Sequence, residues 1–260
     1  DPARAFQPLT TVLEAAKITQ GKSTGLVFTC EFPHATPADC SAHSYNRGKY
    51  EWIAPQMAHN DLNVVIGGGA SLLPEESEAY LKGNGYGVFK NDINGMRNYN
   101  GNNMWALFAD REMAYDLDRD PAQQPSLEEM TRIAIKKLSK NPEGFFLMVE
   151  GSQLDDYGHF NDIDLLMQET HDFDRTIGRI FEWAAQDGET LVVVTADHET
   201  GGLTLVDGDL NEGRIVCKFS TGGHSGVMVP VYAFGPGAEN FTGIFENTDI
   251  FWKIKKLLNL

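Results

Sequence analysis

Short apolar runs without polar alternation are the feature that most constrains the fold of this 260-residue chain. They are rich in β-branched and aromatic residues, stretches with helical spacing separate them, and they comprise residues 24–29, 62–66, 145–149, 191–195 and 229–234. Strands that are buried on both faces have this composition, and they occur mainly in parallel sheets covered by helices. The sequence therefore predicts an α/β fold: a doubly wound, mostly parallel sheet with helices on both faces.

Helix signals fill the intervals between these runs. Ser126 with Glu129 three residues later has the pattern of a capping box at the start of a helix. The helices predicted in this way cover residues 10–20, 126–139, 162–185 and 248–258.

Two segments depart from this alternation. Residues 83–122 are rich in Asn, Gly and Asp, and we expect them to form an irregular insertion within a single catalytic domain that spans residues 1–260. Residues 202–206 and 214–219 flank Asp-Gly-Asp, which predicts an antiparallel extension.

The formal net charge of −16 restricts the partners of the chain. It argues against nucleic acid, because binding a phosphate backbone requires clustered Lys and Arg. A phosphate ester would be repelled as well, unless bound metal ions reverse the potential locally. Cys30 and Cys40 could pair in an oxidising compartment or remain free thiols, and no CxxC motif occurs.

Carboxylates and histidines cluster after or beside three of the predicted strands. In open α/β sheets, ligands bind at the carboxyl ends of the strands, so we expect these side chains to converge. The candidates are Glu150, Asp155 and His159 after one strand, Asp197 and His198 after another, and His224 in a glycine-rich loop.

The spacing within these groups is compatible with metal binding. Asp155 and His159 are four residues apart, so on a helix they share one face and either bind one ion or form a solvated ion pair. With His224 they give the three-ligand set of a catalytic zinc site, with an open fourth position. Asp197 and His198 alone would leave a second zinc one carboxylate short.

A further candidate segment, HATPA, begins at His34. Pro37 suits the first turn of a helix, and Arg47 would then lie about three turns along it. A guanidinium group can contact two phosphate oxygens at once, although a surface position for Arg47 is also open.

Together, four segments resemble the alkaline phosphatase family, in the family's order and over nearly the whole chain. They are GLVFTCEFPHATPADCSAHSYNR, FFLMVEGSQLDDYGHFND, TLVVVTADHETGGL and STGGHSGVMVPVYAFGPGA. The resemblance implies an alkaline phosphatase-like fold and hydrolysis of small phosphate monoesters, with two zinc ions and one magnesium ion. It also implies a periplasmic or extracellular location, with the signal upstream of this chain, and a homodimer or a complementing N-terminal segment.

The resemblance also implies roles for particular residues. Asp155, His159 and His224 would hold the first zinc, Asp197 and His198 the second, Glu150 and Thr36 the magnesium, and Arg47 would clamp the phosphate. His34 and Asp156 stand at positions that tune the third site, so the identity of the third metal stays open. His34 would take part in a water-mediated network near the substrate or bind metal itself.

One departure from the family concerns the nucleophile. The family's Asp-Ser nucleophile motif and an aspartate that bridges two metals are expected before the point where this chain begins, and neither Ser152 nor Ser225 is a convincing substitute. We therefore expect these 260 residues alone to be weakly active or inactive. The alternatives are a non-catalytic zinc- or phosphate-binding fragment and a related phosphodiesterase or sulfatase-like metallohydrolase.

Overall fold

The structure is a computed structural model that describes residues 7–260. The chain divides into two compact units, one formed by residues up to 151 together with 254–260, and the other by residues 152–253. The division into two compact units does not test the prediction of a single catalytic domain, which stays a prediction.

A five-stranded parallel sheet forms the centre of the first unit, in the order β3-β4-β2-β1-β5. Its strands are β1 (Ser23–Glu31), β2 (Val64–Gly68), β3 (Gly87–Lys90), β4 (Met104–Phe108) and β5 (Phe145–Glu150). The prediction of an α/β fold with a parallel sheet and helices is confirmed. β1 has β2 on one side and β5 on the other, so the winding reverses there. In such sheets, the carboxyl ends of the strands at the reversal are the usual place for ligands.

Helices connect these strands, and those predicted at residues 10–20 and 126–139 are present as α1 and α6. They are α1 (Val12–Gln20), α2 (Ala35–Ser41), α3 (Tyr50–His59), α4 (Glu75–Gly83), α5 (Ile93–Asn98) and α6 (Leu127–Leu138). The predicted cap at Ser126 is present, because its hydroxyl accepts a hydrogen bond from the Glu129 backbone N–H at 3.1 Å. The Glu129 carboxylate instead pairs with Arg97. The last predicted helix is α9 (Asp249–Leu257).

The core of the first unit lies against the middle strands. Every residue of β2 and β4 is buried, and Trp105, Phe28 and Phe32 are among the largest side chains without solvent exposure. This burial on both faces explains why β2 is a continuous apolar run in the sequence.

Residues 83–122 differ from the irregular insertion that we expected. They contain β3, α5 and β4, and β4 is an inner strand of the main sheet. The Asn- and Gly-rich turns around these short elements dominate the composition of the segment, so the strands within it were missed.

The second unit is built from helices and three antiparallel strand pairs. Its elements are α7 (Gln153–Phe160), α8 (Ile163–Asp187), β6 (Val192–Thr195), β7 (Glu199–Thr200), β8 (Thr204–Asp209), β9 (Arg214–Lys218), β10 (His224–Ser225) and β11 (Val231–Phe234). The predicted antiparallel extension is confirmed as the β8–β9 pair. None of the described helices is both long and apolar enough to cross a membrane.

The pairing of β6 and β11 is not the one we predicted. Both were expected to be buried parallel strands, whereas they pair with each other in antiparallel fashion. Along β11, half-buried and exposed residues alternate, which is characteristic of a strand with one solvated face. Apolar composition does not encode the direction of a neighbouring strand, so this pairing could not be predicted from it.

A substitution at Gly67 tests how closely β2 packs on β1. A β-carbon at Gly67 would overlap the buried ring of Phe28 and lie 2.8 Å from the Phe28 carbonyl oxygen. We expect Gly67→Ala to lower the free energy of unfolding by about 1–3 kcal/mol, the usual cost of overpacking a core. Urea denaturation measures the change.

The matched control is Gly83→Ala at the end of α4, where no atom lies within 4 Å of the added carbon. It should be neutral or stabilising by up to about 1 kcal/mol, because alanine has the higher helix propensity. Equal effects of the two substitutions would contradict this account of the sheet.

Candidate metal centre

Helix α7 brings together the first two candidate ligands. Asp155 and His159 lie one turn apart on the helix, with Asp155 Oδ2 3.4 Å from His159 Nε2. The four-residue spacing thus places both side chains on one face, as the sequence predicts.

Strand β10 carries the third candidate, His224. It pairs with β7, so that His224 lies opposite Thr200. Its Nε2 is 3.2 Å from His159 Nε2 and 3.6 Å from Asp155 Oδ1. Ligand atoms at the usual zinc distances in a tetrahedral site lie roughly 3.3–3.6 Å from one another. The spacing of these atoms therefore fits a single zinc ion, and the three residues form a group able to hold a metal.

A backbone carbonyl orients the ring of His159. His159 Nδ1 lies 2.8 Å from the Gly222 carbonyl oxygen, so Nδ1 carries the proton and donates it. The lone pair of Nε2 then points toward Asp155 and His224. Histidines that bind metals commonly donate their second ring nitrogen in this way. The same hydrogen bond raises the pKa of His159, and the negative charges of Asp155 and Asp156 add to the rise.

The Asp197–His198 pair adjoins this group. The two side chains approach each other at the end of β6, with His198 Nε2 3.0 Å from Asp197 Oδ2. The ring of His198 stacks on that of His224, with centroids 3.5 Å apart. The structure therefore brings all five predicted zinc ligands of the second unit together, while their assignment as ligands stays a prediction.

Thr200 is a member of this cluster that the sequence reading missed. Its hydroxyl donates to Asp155 Oδ1 and lies 3.3 Å from His198 Nδ1, so it links the two candidate sites. In the sequence, the signal for Thr200 is its position two residues after the candidate ligand His198. That position alone does not predict a contact with Asp155, because the contact arises only when the chain is folded.

Glu199 is a second missed residue, and it fixes the strand that carries His224. Its carboxylate accepts hydrogen bonds from the Ser225 hydroxyl and from the backbone N–H groups of Gly202 and Leu203. The hydrogen bond from Ser225 is the main cause of a lowered pKa of Glu199, and the two backbone donors add to it. A carboxylate held in this way ties β7 to β10 and to the turn that follows β7.

Close backbone contacts behind the cluster require glycine at position 201. Gly201 has a φ of +92°, and a β-carbon there would lie 2.7 Å from the Gly158 carbonyl oxygen of α7. Its N–H donates to the Gly223 carbonyl oxygen at 2.9 Å. The Thr-Gly-Gly sequence therefore lets the loop that carries His224 lie against the helix that carries Asp155 and His159.

The remaining candidate residues belong to the first unit. Glu150 ends β5 and its carboxylate accepts from the Cys30 thiol at 3.4 Å, while Thr36 lies in the first turn of α2. Joint binding of one ion by Glu150 and Thr36 stays a prediction. Cys30 and Cys40 are free thiols, so the pairing that the sequence left open is not formed.

Arg47 does not lie on the helix that we predicted for it. Helix α2 ends at Ser41 because Ala42 adopts an extended conformation, and Arg47 falls in the turn before α3. Its Nη2 is nevertheless 3.5 Å from Nε2 of His34, the N-cap residue of α2. The two residues predicted to act on the phosphate are therefore adjacent.

Comparison with known proteins gives a consistent result. A family model described as alkaline phosphatase matches residues 3–218. Alkaline phosphatase 3 of Bacillus subtilis is 34% identical, and the match covers 95% of this chain and 70% of that protein. The structure of the alkaline phosphatase from the Antarctic bacterium TAB5 is 39% identical with a TM-score of 0.86, covering 95% of this chain and 75% of that one.

Two further structures are similar. A cold-active alkaline phosphatase from a Shewanella species has a TM-score of 0.89 at 29% identity, and the match covers 97% of this chain and 79% of that one. A TAB5 variant in which glutamate replaces a histidine, with magnesium bound in its M3 site, has a TM-score of 0.84 at 37% identity, covering 98% of this chain and 77% of that one.

The parallel sheet and the Asp–His–His cluster define an α/β protein with a candidate metal centre of the hydrolytic type. More specifically, the chain belongs to the alkaline phosphatase family, which consists of phosphoric monoester hydrolases. The family, enzyme class and fold predicted from the sequence are confirmed. The alternative of a phosphodiesterase or sulfatase gains no support from these matches.

Glu199→Ala tests the role of that carboxylate in holding the cluster together. It removes the acceptor for two backbone N–H groups, so we expect faster hydrogen exchange at the amides of Gly202 and Leu203. Losing such hydrogen bonds should also lower the free energy of unfolding by about 1 kcal/mol. Hydrogen exchange with mass spectrometry measures the first effect.

The control is Glu189→Ala, an exposed glutamate of the same unit. It should leave the exchange of both amides unchanged. If Glu199→Ala also left them protected, Glu199 would not be the group that orders this turn.

Proposed function

We propose that Asp155, His159 and His224 hold one zinc ion and that Asp197 and His198 contribute to a second. The observation that carries the proposal is the spacing of 3.2–3.6 Å among the three ligand atoms, with His159 oriented by Gly222. Two zinc ions about 4 Å apart would polarise a phosphate and stabilise its entering and leaving oxygens.

A third, magnesium site is proposed at Glu150 and Thr36. Oxygen ligands such as these suit magnesium. His34 has a buried Nδ1 without a hydrogen-bond partner among the described residues, so this imidazole can still accept a water or a metal. In the TAB5 enzyme, magnesium is found in the M3 site of a variant that has lost a histidine. We therefore propose that His34 influences which metal this chain selects.

Arg47 is proposed to bind the phosphate group of the substrate. Its guanidinium is exposed in the turn before α3 and its position is adjacent to His34. Its planar fork can donate to two phosphate oxygens at once and thereby fix the orientation of the ester. In a chain with a net charge of −16, such a local positive group is needed to bind a dianion.

The proposed substrates are small phosphate monoesters, and the proposed location is periplasmic or extracellular, as family membership implies. A homodimer completes the proposal. Ser225 donates its hydroxyl to Glu199, which holds this side chain in the structural link between β7 and β10.

Zinc titration tests the first site. Isothermal calorimetry on the zinc-free chain should show tight binding that His159→Ala weakens by more than the roughly 10- to 100-fold that an outer partner costs. The control His171→Ala removes an exposed histidine of α8 and should bind zinc like the parent. A parallel magnesium titration with Glu150→Gln tests the third site. Unchanged zinc affinity in His159→Ala would contradict the assignment.

Hydrolysis of matched esters tests the activity. With zinc and magnesium, p-nitrophenyl phosphate should be cleaved in preference to bis-p-nitrophenyl phosphate. Arg47→Ala should raise the inhibition constant of inorganic phosphate. Preferential cleavage of the diester would contradict the proposal, and phosphate binding without any turnover would favour the non-catalytic alternative.

A further inference from the structure

A second arginine lies beside the turn that carries His34. Glu31, the last residue of β1, and His34 are the ends of one tight turn, in which the His34 N–H donates to the Glu31 carbonyl oxygen at 2.9 Å. Arg47 contacts the His34 ring, and Arg111 Nη2 lies 2.7 Å from Glu31 Oε1. Because the ends of such a turn are less than about 7 Å apart, the two guanidinium groups are anchored at nearby points.

The Tyr50 side chain is close to Arg111 and feels the charge of Arg47 as well. The Arg111 guanidinium lies over the Tyr50 ring, 5.6 Å from its centroid. Burial, with the charge of Glu31, raises the pKa of Tyr50 to about 12, and the charges of Arg111 and Arg47 both oppose the rise. Both guanidinium groups therefore act on the same phenol, and with Glu31 they form one charged patch at the carboxyl end of β1.

The backbone around Arg111 is fixed before any ligand arrives. Its carbonyl oxygen accepts from the Gly69 N–H at 2.6 Å, and the Met113 N–H donates to the Thr29 carbonyl oxygen at 2.8 Å. The Glu31 side chain is only 8% exposed, whereas that of Arg111 is 55% exposed. Glu31 therefore holds one edge of the guanidinium, and its other N–H groups face solvent.

We propose that Arg111 binds a second anionic group on the substrate, so that the enzyme favours phosphate monoesters whose leaving group carries its own negative charge. This inference rests on the proposed function of Arg47. One ester spans the patch, with its phosphate at Arg47 and its second anion at Arg111. Each arginine has a carboxylate nearby, Glu31 in direct contact with Arg111 and Asp39 near Arg47, and the side chain of Arg111 is still 55% exposed.

A simpler role for Arg111 would be to neutralise the buried carboxylate of Glu31. That role predicts a loss of stability in an Arg111 variant, and any change in the choice between substrates would then come from the uncovered charge of Glu31. The ratio of affinities for two esters therefore separates the two roles when Glu31→Gln accompanies Arg111→Gln, because no uncovered charge remains and a loss of folded protein lowers both values equally.

The test compares 3-phosphoglycerate with glycerol 3-phosphate, which differ in a carboxylate and a hydroxymethyl group. Dissociation constants for the zinc- and magnesium-loaded chain are measured by calorimetry, with hydrolysis followed in parallel. We expect the parent to prefer 3-phosphoglycerate by roughly 5- to 10-fold, the range for one partly exposed charged hydrogen bond. The preference should fall as ionic strength rises, because salt screens exposed charges.

Four variants complete the design. Arg111→Gln, alone and together with Glu31→Gln, should abolish the preference, and Arg111→Lys, which keeps the charge opposite Glu31, should retain part of it. Arg97→Gln removes the same charge from α5, where Arg97 pairs with Glu129, and should keep the full preference. An unchanged preference in Arg111→Gln or in the double variant, or an equal loss in Arg97→Gln, would overturn the inference while leaving the proposed function intact. If neither ester is bound or hydrolysed, the proposed function fails and the inference fails with it.

Discussion

The close approach of Asp155, His159 and His224 is the constraint on which the site depends. Two imidazole nitrogens 3.2 Å apart, beside a carboxylate, place three potential metal-ligand atoms within reach of one cation. A divalent cation satisfies both lone pairs and the carboxylate. The surrounding structure serves this geometry: the Gly222 carbonyl turns one ring, Glu199 holds the strand of the other, and Gly201 lets the two elements approach.

Charge explains why such a centre is needed. The chain carries a net charge of −16, so a phosphate dianion is repelled at long range. Favourable sites arise where cations are concentrated, and residues 7–260 contain two candidates. One is the cluster of proposed metal ligands in the second unit, and the other is the patch around Arg47 and Arg111 at the carboxyl end of β1. In that patch, a buried glutamate positions an arginine without covering it.

Much of this could be predicted from the sequence, for physical reasons that also explain the failures. Buried parallel strands and capped helices leave local signals, so β1, β2, β5 and α6 were found. Spacing on a helix gave the Asp155–His159 pair. The short strands β3 and β4 were hidden by the polar turns around them, and the direction of the β6–β11 pairing depends on neighbours that apolar composition does not encode. Thr200, Glu199 and Arg111 were missed because their roles arise from strand register and from loops that meet only in the folded chain.

The most direct test of the central claim is anomalous X-ray diffraction at the zinc edge on crystals of the zinc-loaded chain. The account predicts an anomalous peak at about 2.0–2.2 Å from a carboxylate oxygen of Asp155 and from Nε2 of both His159 and His224. It would be contradicted if zinc were absent from this cluster, or bound elsewhere, in crystals grown with excess zinc at alkaline pH.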